Sequence, residues 1–253
     1  KKLFVFVFLV IFTIHWGYAQ KKDSLQNLTE LFQLYEQKDL FFVNALVRKE
    51  GKTIHEHSAG FQNREKGIKN SKDTRFLIGS ITKTYTATLV MQLIEEGKLS
   101  LETKIDTYFP TLPNASKITV EMLLRHRSGL FNYTNDPAFY QKIMHPITSD
   151  QLVQSFDTLK IDFLAGAKHE YSNTNYILLG KIIEKVTNDT YQSQLQKKIL
   201  RPLSLKNTYL RTDKSDTKVA TSYYSDGKWH ATQPEWNVGW AWSAGEIAAT
   251  AED

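Results

Sequence analysis

The sequence predicts an α+β fold: a short N-terminal strand pair beside a long, mostly helical body. Three observations carry this. Phe41 to Lys49 reads as a strand, Glu50-Gly51 as a turn and Thr53 to Ala59 as the hairpin partner. The run from Ser80 to its stop at Gly97 is too long for an ordinary strand. Asn173 to Val186 carries Tyr176, Leu179, Ile182, Ile183 and Val186 at helical spacing. With 253 residues and 41% of them hydrophobic, the chain can bury a large core around these elements.

Taken in order, the chain opens on Lys1 and Lys2, an apolar run from Leu3 to Ile14 broken only by Thr13, and the small residues Gly17 and Ala19. This pattern predicts a signal peptide over 1–19, cleaved after Ala19 to leave a domain over 20–253. A retained anchor would need roughly 20 apolar residues, so no membrane span is expected after cleavage. Leu25, Leu28, Leu31, Phe32 and Leu34 predict an amphipathic helix over 23–38, ahead of the strands that end near residue 60. Residues 61–73 are charged and aperiodic, and read as a surface loop.

The stretch 81–90 is ambiguous. Thr82, Thr84, Thr86 and Thr88 recur with period two, the literal signature of a strand. Apolar residues continue through Leu89, Val90, Leu93 and Ile94, so length favours a buried helix over 80–96. The region 97–210 is expected to be mostly helical, with Pro110 and Pro113 as breaks. Thr119 caps a short helix through Leu124 that Ser128-Gly129 ends; 135–146 is irregular; Ser149 caps a helix over 150–159; another covers 190–199. Asp226-Gly227 predicts a hairpin turn before Trp229. No returning strands are expected. A lone two-stranded hairpin is not stable by itself, so either helices cover it or further strands lie beyond residue 253.

Composition excludes several functions. Loss of Lys1 and Lys2 with the leader lowers the formal charge from +5 to +3. The lysines are scattered and no basic stripe alternates with aromatics, which argues against a nucleic-acid partner. The absence of cysteine removes disulfides, thiolate metal sites and a cysteine nucleophile. His55 and His57 share one strand face, but no third ligand is in view. They read as an exposed polar face, and no metal or cofactor is expected.

Ser80-Ile81-Thr82-Lys83 places a hydroxyl and an amine on one helix face. A serine becomes a nucleophile when a base takes its proton, and a lysine kept neutral by burial can be that base. About one such spacing is expected by chance in a chain of this length, and Ser225-Asp226-Gly227-Lys228 is a second. Tyr171-Ser172-Asn173 offers a proton-relaying phenol and an amide that both accepts and donates. It too has a double, Tyr133-Thr134-Asn135. The residues alone leave both choices open.

Phe76-Leu77-Ile78-Gly79-Ser80-Ile81-Thr82-Lys83, together with Tyr171-Ser172-Asn173-Thr174-Asn175-Tyr176-Ile177-Leu178-Leu179-Gly180, resembles the serine beta-lactamase-related family. Class C beta-lactamases, D-alanyl-D-alanine carboxypeptidases and related esterases belong to it. Supporting stretches are Ile118 to Leu124 with Ser128-Gly129-Leu130, and Ser243-Ala244-Gly245 with Thr250 to Asp253. The resemblance implies the beta-lactamase/penicillin-binding-protein transpeptidase fold, an α/β part with an all-helical subdomain. It implies Ser80 as nucleophile, Lys83 as assisting base, Tyr171 as proton shuttle to the leaving group, and Asn173 as the residue that orients Lys83 and binds the substrate amide. It selects Ser80 over Ser225 and Tyr171 over Tyr133.

The family's late Lys-or-His, Thr-or-Ser, Gly triplet is not found. The chain is therefore expected to lack the C-terminal strands, one of which supplies the second oxyanion donor. The implied activity is acyl-enzyme hydrolysis of a D-alanyl-D-alanine-type peptide or a beta-lactam amide. An esterase of the same family, or a cell-wall or penicillin-binding sensor without turnover, are the alternatives. The expected partners are a small peptide, beta-lactam or ester substrate, with peptidoglycan as a polymeric source, and the chain is expected to be a periplasmic or secreted monomer. His126 and Arg127 read as structural residues bordering the site. Trp229, Trp236, Trp240 and Trp242 could line a substrate groove, but read first as core, or as a rim over the nucleophile helix.

Overall fold

A computed structural model describes residues 26–212, 214–232 and 237–253; the leader assigned to 1–19 and Trp236 lie outside them. The chain divides into two compact units, with the boundary between Thr74 and Arg75.

In the first unit, helix α1 covers 26–37, and strands β1 (Val43–Lys49) and β2 (Lys52–Ala59) form the expected antiparallel hairpin. The turn depends on left-handed backbone at Glu50 and Gly51. Phe32 of α1 stacks on the rings of His55 and His57, with centroids 5.7 and 5.0 Å away. The two histidines are thus half-buried packing groups, not an exposed polar face. The segment read as a loop over 61–73 contains a small hairpin, β3 (Phe61–Asn63) paired with β4 (Ile68–Lys69). Its strands are too short for alternation to register in the sequence.

The second unit opens with β5 (Phe76–Leu77) and a 3₁₀ turn at Gly79–Ile81, which leads into α2 (Thr82–Glu95). There follow α3 (Val120–Leu124), α4 (Phe139–Lys142), α5 (Ser149–Gln154), α6 (Asn173–Thr187) and α7 (Tyr191–Leu195). After them come β6 (Tyr209–Leu210), β7 (Tyr223–Ser225), β8 (Trp229–Ala231), α8 (Trp242–Gly245) and β9 (Ile247–Ala249). Helix α6 is the hub. Ile177, Leu178, Leu179, Ile182 and Ile183 are fully inaccessible, because α2, α3, α5, α7 and α8 all pack on it. Each such side chain contributes roughly 1.5–3 kcal/mol of burial.

The threonine pattern in α2 resolves in favour of helix. Thr82 and Thr86, one turn apart, are buried, while Thr84 and Thr88 face out and donate back to the carbonyls of Ile81 and Thr84. Several boundaries differ from expectation. Helix α3 is capped by Thr119 and runs through Leu124 as expected, but what ends it is the left-handed turn at His126, not Ser128-Gly129. Thr148, not Ser149, caps α5 through a reciprocal capping box with Gln151, and α5 stops at Gln154 before a 3₁₀ turn. Residues 135–146 hold one helical turn, α4. Helix α7 passes into a π turn at Gln196–Leu200. The expectation of no returning strands is also corrected. β9 lies between β5 and β6 in a three-stranded antiparallel sheet, with Phe76 opposite Ala249 and Tyr209 opposite Ala248.

Candidate active site

The site is assembled where α2 begins, where α6 begins, and where α8 runs between them. Gly79 takes a left-handed φ of 53° that favours glycine, and Ser80 follows it, exposed, in the 3₁₀ turn. One turn on, Lys83 is 6% exposed and its Nζ donates to Ser80 Oγ at 3.1 Å. Burial lowers the Lys83 pKa to about 8.

Lys83 Nζ has two further acceptors, Asn173 Oδ1 at 2.8 Å and the Ala244 carbonyl at 2.7 Å. A neutral amine has two N–H bonds and one lone pair. Once Lys83 has lost the proton that it donates to Ser80, its N–H bonds stay on Asn173 and Ala244 and its lone pair faces the Ser80 hydroxyl, as a base must. The Ala244 carbonyl is held by the threonines of α2: Thr86 donates to the Ser243 carbonyl at 2.6 Å, and Thr82 Oγ1 accepts the Ile247 N–H at 3.1 Å. On the α6 side, a Cβ on Gly180 would lie 2.2 Å from Ser243 Oγ, so only glycine lets this segment approach.

At the start of α6, Tyr171 OH lies 2.8 Å from Ser80 Oγ and 3.3 Å from Asn173 Oδ1. Ser172 gives no side-chain cap to the helix; the cap comes from another loop, where Asn132 Oδ1 accepts the Asn173 N–H at 3.0 Å. Thr134 Oγ1 accepts from Asn173 Nδ2 at 3.1 Å, which turns the amide oxygen toward Lys83. The four residues singled out in the sequence therefore form one hydrogen-bonded set.

The two doubles separate by place. Ser225 and Lys228 flank the tight β7–β8 turn, where Ser225 Oγ accepts the Gly227 N–H at 3.3 Å. Tyr133 is buried and donates to the Trp240 carbonyl. Its neighbour Thr134 nevertheless bonds Asn173, so this second motif forms part of the wall. Asn132, Thr134 and the Ala244 carbonyl were not found by sequence reasoning. A carbonyl has no signature of its own, although Ser243-Ala244-Gly245 stood out as a stretch.

A cavity of about 350 Å³ opens beside Ser80, walled by Tyr133, Phe139, Tyr140, Asn173 and Trp240, with no charged side chain among its described lining residues. Trp240 is thus core and cavity wall at once. A second cavity of about 340 Å³ shares Gly79, Ala241 and Gly245 with it and carries Arg211 and Glu246. Burial raises the Glu246 pKa, and its carboxylate accepts the Gly239 and Trp242 N–H groups at 2.8 and 2.9 Å. Those bonds hold Trp242 at a φ of 27°. No group of three or more potential metal ligands occurs among the described residues, and no described helix is long and apolar enough to cross a membrane.

Known proteins share this architecture. The beta-lactamase family model matches residues 31–253. Teichoic acid D-alanine hydrolase of Staphylococcus aureus is 35% identical over 191 residues, 76% of this chain and 46% of that protein. The chain spans about half the length of the curated relatives it matches. FmtA from Staphylococcus aureus superposes with a TM-score of 0.75 at 30% identity, over 87% of this chain and 62% of its own. D-amino acid amidase from Ochrobactrum anthropi gives 0.76 at 26% identity, over 90% of this chain and 67% of its own. The chain belongs to the beta-lactamase family, within the serine hydrolase superfamily that includes penicillin-binding proteins.

Proposed function

We propose that this chain is a serine acyl hydrolase that works through an acyl-enzyme on Ser80, and that its acyl donors are D-alanyl-type amides or esters and beta-lactams. The observation that carries this reading is the contact of one exposed hydroxyl with both a lysine of lowered pKa and a phenol, 3.1 and 2.8 Å away. Ser80 Oγ attacks the acyl carbon as its proton passes to the Lys83 lone pair. The Ser80 backbone N–H donates to the developing oxyanion. Tyr171 delivers a proton to the departing nitrogen or oxygen, and water then releases the acyl group by the reverse path. Asn173 orients Lys83 through Oδ1, and the second N–H of its Nδ2 is available to a substrate carbonyl.

The substrate class is supported by the relatives, whose names specify D-alanine and D-amino acids. The aromatic wall offers apolar contact to the acyl portion. Action outside the cytoplasm, on cell-wall material, rests on the leader pattern of residues 1–19. The test is product release from D-alanyl and L-alanyl p-nitroanilides, a D-alanyl ester and a chromogenic cephalosporin. At least tenfold preference for the D-acyl compound is expected. Preference for the L form, or no product from any of them, would overturn the reading.

A further inference from the structure

His126 makes three contacts with three consecutive residues. Its carbonyl accepts the Glu170 N–H at 2.9 Å, its ring lies 4.5 Å from the Tyr171 ring, and its Nδ1 accepts the Ser172 N–H at 3.2 Å. It does this from a left-handed backbone, φ 54°, a conformation in which histidine is enriched but still uncommon. Tyr171 is 43% exposed and precedes α6, so α6 itself does not fix its ring. A displacement of about 1 Å at a reacting group can cost on the order of 10²-fold in rate.

We propose that His126 is a positioning residue for acylation: its Nδ1, by accepting the Ser172 N–H, holds the turn into α6 so that the Tyr171 phenol meets Ser80. This rests on the Ser80 reading above. The Ser172 N–H selects the tautomer, since a protonated Nδ1 would set donor against donor. Aromatic rings and hydrogen-bond donors surround the imidazole. Tyr171 and Tyr176 pack on it at 4.5 and 5.2 Å, His169 lies 6.0 Å away, and Asn175 Nδ2 approaches Nδ1 at 3.4 Å. Burial first, then the Lys83 and His169 charges, lower the His126 pKa to about 4.

Three variants of the full chain test the role. His126→Asn keeps an acceptor at the δ position and tolerates left-handed backbone; His126→Gln moves the acceptor one atom outward; His126→Phe keeps the ring and loses the acceptor. Acylation of Ser80 by a fluorescent penicillin or a D-alanyl ester is followed together with KM and thermal melting. The Asn variant is expected within about threefold of the parent rate, while Gln and Phe lose roughly 10²-fold with KM little changed. A Phe or Gln variant acylated at the parent rate overturns the proposal, as does an Asn variant as slow as Gln. If Phe does not fold, the Asn and Gln pair decides. Imidazole ¹⁵N shifts at pH 7 supply a readout without turnover: protonated Nε2 with accepting Nδ1 is expected, and the opposite tautomer or an imidazolium overturns it. A parent chain that no probe acylates sinks the Ser80 reading and this role with it. An acylated parent with indifferent variants sinks this role alone.

Discussion

Ser80-Lys83 and Ser225-Lys228 have the same spacing and opposite surroundings. The first pair rises from a 3₁₀ turn into a helix, with the lysine 6% exposed and tied to three oxygens. The second spans a tight hairpin turn, where the Asp226 carboxylate accepts from His230 at 2.9 Å and the Lys228 N–H at 3.4 Å. A spacing in sequence becomes chemistry when the backbone turns two side chains to one side and burial changes what one of them can do.

The comparison can be broken most sharply at the serines. Ser80→Ala is expected to lower turnover on the order of 10⁴-fold or more, and Ser225→Ala to leave it unchanged, as read by steady-state kinetics. Equal losses would erase the distinction. At the lysines, Lys83→Met is expected to cost about 10²- to 10⁴-fold in acylation rate, and Lys228→Met nothing. The pH dependence sharpens the point. Lys83 must be unprotonated to act as base, and its pKa is lowered to about 8. The acylation rate should therefore rise about tenfold per pH unit below 8 and level off above it; a flat profile from pH 6 to 9 would remove Lys83 as the base. The smallest effect concerns the support behind Lys83. Gly180→Ala is expected to destabilise the fold by about 1–3 kcal/mol in urea unfolding, because its Cβ would meet Ser243.

Long, periodic elements were legible in the sequence. Helix α6 showed in the spacing of Tyr176, Leu179 and Ile182, and the β1–β2 hairpin in its turn residues. Elements of two or three residues, such as β3, β4 and β9, were not: so short a strand shows no alternation, and β9 pairs with partners far along the chain. The threonines of α2 leave the local pattern ambiguous, since their buried partners, the Ser243 carbonyl and the Ile247 N–H, lie far along the chain. At the site, Ser80, Lys83, Tyr171 and Asn173 were chosen by resemblance, not by spacing. Thr134 and Asn132 escaped because a hydroxyl and an amide in a loop look like any turn. His126 reads as structural in the sequence, because its contact with Tyr171 exists only where α3 and the entry to α6 stand side by side.

The most direct measurement maps the adduct after the full chain meets a fluorescent penicillin or a D-alanyl ester, by intact mass and then by peptide sequencing. The account expects one acyl group, on Ser80, and none in the Ser80→Ala chain. An acyl group on another residue, or an unmodified Ser80 in a folded chain, would contradict it.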